Sequence, residues 1–279
     1  MAYWCEQSNS AAPIAKAAHQ QTNWDTILVD NVYSGLTSRT TNPIDKARLL
    51  AAKSVHSGDW LHAAPITSVG LRMSNEVVRV AVGLRLGTAL CEPHTCICGA
   101  AVDARGLHGL SCKKVSGKQQ RHSMITDVVW RACNRAGYQA MKEPVGLART
   151  DGRRPDGVTI IPWSRGQCLV WDVTISDTFA QSYLDHSSQQ AGAAADRAVA
   201  LKNAKYADLM QSHIFVPVAL ESSGCWNMPA LTFMKDHGKR ITHAMGDLRE
   251  TSYLLQRLSV ALQRGNAVSI LGTFDGYAT

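Results

Sequence analysis

A mixed α/β fold of the α+β kind, with a mixed sheet flanked by helices, follows from three observations. Past Gly137 the apolar period shortens from helical to alternating, in the β-branched runs GVTII (157–161), CLVWDVTI (168–175) and HIFVPVAL (213–220). An alanine-rich stretch, AGAAADRAVALKNAKYADLM, separates the last two and has the helix propensity and room for about five turns. Helical stripes lie on both sides of this region. A chain of 279 residues is long enough to bury a sizeable core around such a sheet.

Residues 1–42 are rich in Ser, Thr, Asn, Gln and Ala, and their weak periodicity predicts a loosely ordered arm. The start, MAYWCEQSNS, has neither the charged nor the apolar region of a signal peptide. No apolar stretch reaches the roughly 18–20 residues of a membrane span, so a soluble intracellular protein is expected. Residues 43–90 form a helical connector: Pro43 precedes Ile44, Ala47, Leu49 and Leu50, and Ser74 caps NEVVRVAVGLRLG, striped by Val77, Val80, Ala81 and Leu84. SGDWLHAAP supplies the turn between them. After a cysteine-rich segment, 91–116, the residues Ile125, Val128, Val129 and Ala132 mark a helix whose first turn carries Arg121 and His122. With a further strand around Gln139–Lys142, the order over 117–226 is helix, strand, strand, strand, helix, strand. Residues 227–279 add helices at 229–245 and 251–264, after which Gln263-Arg264-Gly265-Asn266 reads as a loop.

Cys96, Cys98, His108 and Cys112 bring three thiols and one imidazole within 17 residues, a ligand set whose softness suits zinc. Cys91 and His94 are available as substitutes, and buried free cysteines with a surface histidine are the plainer alternative. Eight cysteines are too few for a disulfide scaffold. The formal charge of +7 is carried by one segment, since residues 99–154 hold eleven Lys and Arg against four acids and the remainder is balanced. Such a segment suits a polyanion partner, bound by phosphate neutralisation through Lys113, Lys114, Lys118, Arg121, His122, Arg153 and Arg154, or else is a solvated basic face.

Asp156 opens one strand and Asp172 lies in the apolar middle of the next. Carboxylates on adjacent strands can lie side by side and hold magnesium or manganese. The alternative is a salt bridge to Arg153 or Arg154. Lys202 and Lys205 share a helix face that could point at this pair, and Glu143 could add an acidic ligand. G-x-S-x-G, a Walker-type loop and the zinc-deaminase signature are all absent.

Taken in order, Cys96, Cys98, His108, Cys112, Arg121-His122, Glu143-Pro144, Arg154-Pro155-Asp156, Asp172 and Lys202 with Lys205-Tyr206 resemble the C-terminal end of site-specific non-LTR retrotransposon polyproteins. There a zinc knuckle precedes a restriction-like endonuclease. The resemblance implies a PD-(D/E)xK nuclease fold and magnesium-dependent nicking of double-stranded DNA to prime reverse transcription. It further implies Asp156 and Asp172 as metal ligands, and Lys205 or Lys202 as the catalytic lysine. A nuclear location is expected on the same footing, and RNA binding beside DNA binding is left open by the sequence. Residues 43–90 look like the connector after the polymerase thumb of such elements. Position 174 is Thr where the basic signature has Lys. This agrees with a lysine moved to the following helix, and equally with an inactive nucleic-acid-binding descendant, the competing reading.

Overall fold

The structure is a computed structural model that describes residues 2–12, 21–148 and 152–274. It opens with helices α1 (Ala2–Ser8) and α2 (Gln21–Arg39), so the described part of 1–42 is helical rather than a loose arm. No side chain of α2 is buried, and its regularity rests on local contacts such as Gln21 to Asp25 at 2.8 Å. The two helices meet where the Trp4 indole donates to the Trp24 carbonyl at 3.0 Å, ring edge against ring face. An apolar stripe is therefore not what orders this segment, and its absence hid the helix.

Residues 43–90 hold two α-helices. Helix α3 (Pro43–Lys53) starts at Asn42, whose side chain accepts from the Ile44 and Asp45 amides. Ser74 caps α4 (Asn75–Leu86) by accepting from Val77 N–H. Between them a 3-10 turn, Asp59–His62, buries Trp60. A short hairpin of β1 (His94–Thr95) and β2 (Ala101–Val102), then α5 (His108–Ser111), frames the cysteine cluster.

The sheet comprises β3 (Ala140–Lys142), β4 (Gly157–Thr159), β5 (Leu169–Ser176) and β6 (Ile214–Glu221), in that order. The first two pairings are antiparallel and β5 with β6 is parallel, so the sheet is mixed. Helix α6 (Gly117–Arg135) precedes it, and α7 (Gln181–Ser187) and α8 (Ala193–Lys205) form the crossover. The predicted strand and helix order is thus present, with α7 added. Helix α8 is thirteen residues long and gives way after Tyr206 to a 3-10 turn at Ala207–Gln211, so the alanine-rich run holds less α-helix than its composition predicts.

Strand alternation sorts β5 into two faces. Leu169, Trp171 and Val173 enter the main core with Ile125 and Val129 of α6 and with α9 (Met228–Met245) and α10 (Glu250–Leu271). Asp172, between them, faces α8. Gly157 permits this packing at the β4 edge, because a Cβ there would stand 2.0 Å from the Trp171 ring.

Helix α10 runs straight through Gln263, Arg264, Gly265 and Asn266, which are therefore helix interior and not a loop. The reason is Arg121. Its guanidinium is buried and donates to Asn266 Oδ1 at 2.9 Å and to the Leu110 carbonyl, while its aliphatic stem fills the space a Cβ on Gly265 would take. Polar residues that read as a turn are the lining of a buried arginine. Among the described residues no helix is long and apolar enough to cross a membrane.

Candidate metal centre and carboxylate site

Two groups of side chains converge. In the first, Cys96 sits after β1 and Cys98 in the turn that follows, where Gly99 takes φ 92°, a left-handed conformation that favours glycine. His108 begins α5 and Cys112 caps it. The Cys96 and Cys112 sulfurs are 3.8 Å apart, and Cys98 Sγ lies 3.2 Å from His108 Nε2. Two thiolates on a tetrahedral zinc, with Zn–S of about 2.3 Å, stand about 3.8 Å apart. The donors match that geometry, and the cluster can hold an ion such as zinc. A hydrogen bond from the Ala100 amide, helped by the neighbouring thiols and His108, brings the Cys98 thiol down to about 7, toward the thiolate a metal needs. Cys91 and His94 stand outside the cluster: Cys91 faces the Asp103 carbonyl, and His94 bonds Thr273 and stacks on Phe274 at 4.1 Å.

The second group lies where β4 begins against the middle of β5, the two inner strands of the sheet. The Asp156 amide donates to the Trp171 carbonyl at 3.1 Å, which continues the β4–β5 ladder by one residue and sets Asp156 beside Asp172. Asp156 Oδ2 accepts from Val173 N–H at 2.6 Å and bonds His122 Nε2 at 3.0 Å. Lys202 Nζ bonds Asp172 Oδ1 at 2.8 Å, across from α8. Asp172 Oδ2 is enclosed and has no hydrogen-bond partner. Ligand atoms of His122, Asp156 and Asp172 all lie within 4.8 Å of one another. Burial and the neighbouring Asp156 charge push Asp172 above the ordinary carboxylate range against the pull of Lys202. Burial also raises Asp156, but His122 and the Val173 amide outweigh it and hold Asp156 low. Two adjacent carboxylates beside an imidazole are a donor set that fits a divalent cation.

Around these groups Glu143, Gly152, Arg153, Arg154 and Lys205 complete an open groove of about 460 Å³. Glu143 is exposed, paired with Arg154, and held at φ 46°. Lys205 Nζ donates to the Tyr206 hydroxyl at 2.7 Å, and that hydroxyl donates to the Arg154 carbonyl at 3.0 Å. Lys202 touches the carboxylate pair, and Lys205 lines the same groove. The buried Tyr206 ties α8 to the loop before Asp156, a structural role the residue pattern alone does not disclose.

Sequence reading and structure part over Arg121. Predicted to contact phosphate, it is 2% exposed and committed to Asn266 and Leu110, so it is a core residue that no nucleic acid reaches. His122 is directed to Asp156. Of the remaining basic segment, Arg105 pairs with Asp45, Arg131 and Lys142 share Asp127, and Arg135 pairs with Glu250. Lys113, Lys114, Lys118, Arg153 and Arg154 are exposed. No family model matches this chain, and no curated protein matches it.

Proposed function

We propose that this protein is a metal-dependent DNA endonuclease of the PD-(D/E)xK kind, derived from a retroelement, with a zinc knuckle that assists nucleic-acid binding. The observation that carries the reading is the meeting of Asp156, Asp172 and Lys202 at one groove, beside the two central strands of a mixed sheet whose element order agrees with the one the resemblance implies. A magnesium or manganese ion held by Asp156 and Asp172 would supply the Lewis acid that activates water and offsets charge on the phosphate. Lys202 fixes Asp172 and has further ammonium donors for a phosphate oxygen. Arg153 and Arg154 border the groove and suit the flanking phosphates. Lys113, Lys114 and Lys118 extend the basic surface toward the cysteine cluster. Nicking of chromosomal DNA to prime reverse transcription is the activity we assign, with a nuclear site of action and RNA as a second ligand.

The test is nicking of supercoiled plasmid by zinc-loaded protein with and without magnesium or manganese, beside an Asp156→Ala/Asp172→Ala double variant with an unchanged thermal melt. Cation-dependent nicking that the double variant loses is the expected result. Equal inertness of both proteins, with retained salt-sensitive DNA binding, would replace this reading with that of an inactive binding protein.

A further inference from the structure

We infer that His122 is a nitrogen ligand of the carboxylate site, making it a mixed nitrogen and oxygen site that prefers manganese or a similar first-row cation over magnesium. The inference rests on the endonuclease reading only in taking Asp156 and Asp172 as cation ligands.

Three observations lead there. Nε2 of His122 faces the carboxylates and comes within the same 4.8 Å cluster as an oxygen of each. Its backbone is anchored from behind, because Arg121, the preceding residue, is clamped between Asn266 and the Leu110 carbonyl, and its ring is oriented by the 3.0 Å bond of Nε2 to Asp156. Asp172 bonds Lys202 through Oδ1 at 2.8 Å and places an oxygen within the same cluster as His122 and Asp156. Magnesium favours oxygen donors and keeps its waters, whereas the affinity of nitrogen-containing sites for first-row cations rises from manganese upward, with manganese the member that still suits carboxylates. Replacing an oxygen donor by an imidazole therefore moves the preference away from magnesium. The competing role for His122 is a charged hydrogen-bond donor to Asp156, which would hold the carboxylate without touching a cation.

Zinc-loaded full-length protein, His122→Gln and His122→Asp would be titrated with manganese(II), the free ion being followed by electron paramagnetic resonance and magnesium used as competitor. The bound signal would be examined for imidazole nitrogen modulation. Circular dichroism melts confirm that each variant is folded. The inference expects nitrogen modulation in the wild type, manganese bound about tenfold or more tighter than magnesium, and loss of the modulation in both variants. His122→Gln should lose about tenfold or more in manganese affinity, and His122→Asp should shift the preference toward magnesium. Unmodulated manganese bound equally by wild type and His122→Gln overturns the inference. If that result accompanies magnesium-dependent nicking, the endonuclease reading stands without it. Modulated manganese with no nicking leaves the ligand assignment standing and removes the endonuclease reading. Absence of manganese binding at millimolar concentration overturns both.

Discussion

Lys202 and Lys205, one turn apart on α8, meet different partners: an aspartate for the first, a tyrosine hydroxyl for the second. A lysine that contacts a metal-binding carboxylate and can reach the phosphate contributes most where charge builds up in the transition state. Lys202→Ala should therefore lower the nicking rate by about 100-fold or more, and Lys205→Ala by clearly less, both read in a single-turnover plasmid assay. A second residue-scale prediction concerns His237, buried between Trp163 and Phe233. Burial, reinforced by the nearby Arg240 charge, lowers it from 6.5 to about 4. Below 6.5 the unfolded chain takes up a proton that the folded chain refuses until about 4, so stability from this residue is complete above 6.5 and declines as pH falls toward 4. Between pH 7.5 and 5 the loss should be about 2 kcal/mol in urea unfolding, and His237→Phe should remove that part of the pH dependence.

The strands and their order were legible at the scale of elements because β-branched runs between Gly, Pro and Ser leave few other conformations, and because Asp156 and Asp172 had to fall on neighbouring strands for any hairpin between them. What escaped was set by contacts distant in sequence. Gln263 to Asn266 looks polar and broken by glycine, yet it is helical because Arg121, 145 residues away from Asn266, supplies the missing packing and hydrogen bonds. Arg121 itself was assigned to solvent by the general habit of arginine, and only the carbonyl and amide that receive it explain its burial. Helix α2 escaped for the opposite reason, having no buried face to announce it. The element-scale prediction follows from Gly265. Its Cβ would stand 2.0 Å from Arg121 Cγ, so Gly265→Ala gains helix propensity but forces the guanidinium out of place. A net loss of about 1–3 kcal/mol in denaturant stability is expected, and an unchanged or higher midpoint would refute the account.

Charge behaves differently at the scale of the whole molecule than the count of bases implies. Eleven bases lie between 99 and 154, but Arg121 is buried and Arg105, Arg131, Arg135 and Lys142 are paired with acids of the same chain. The DNA affinity should thus depend on the exposed lysines near the cluster. Replacing Lys113, Lys114 and Lys118 together by Ala should lower the slope of log affinity against log salt by about 2–3, measured by fluorescence anisotropy on a short duplex. The metal cluster ties the same region down. One zinc per chain is expected by native mass spectrometry, and its removal by a chelator, or Cys112→Ser, should raise hydrogen exchange across 94–112 while leaving β5 and β6 protected.

The peptide bond between Arg121 and His122 is a mechanical joint. On one side of it Arg121 is pinned to the carbonyl of Leu110, which lies in α5 between two ligands of the cysteine cluster; on the other, His122 bonds Asp156 in the groove. Two stations on the surface thus share a single turn of α6. Whatever seats α5 against its ion therefore bears on the residue next to the imidazole, so the cysteine cluster and the groove are joined through one peptide unit of α6.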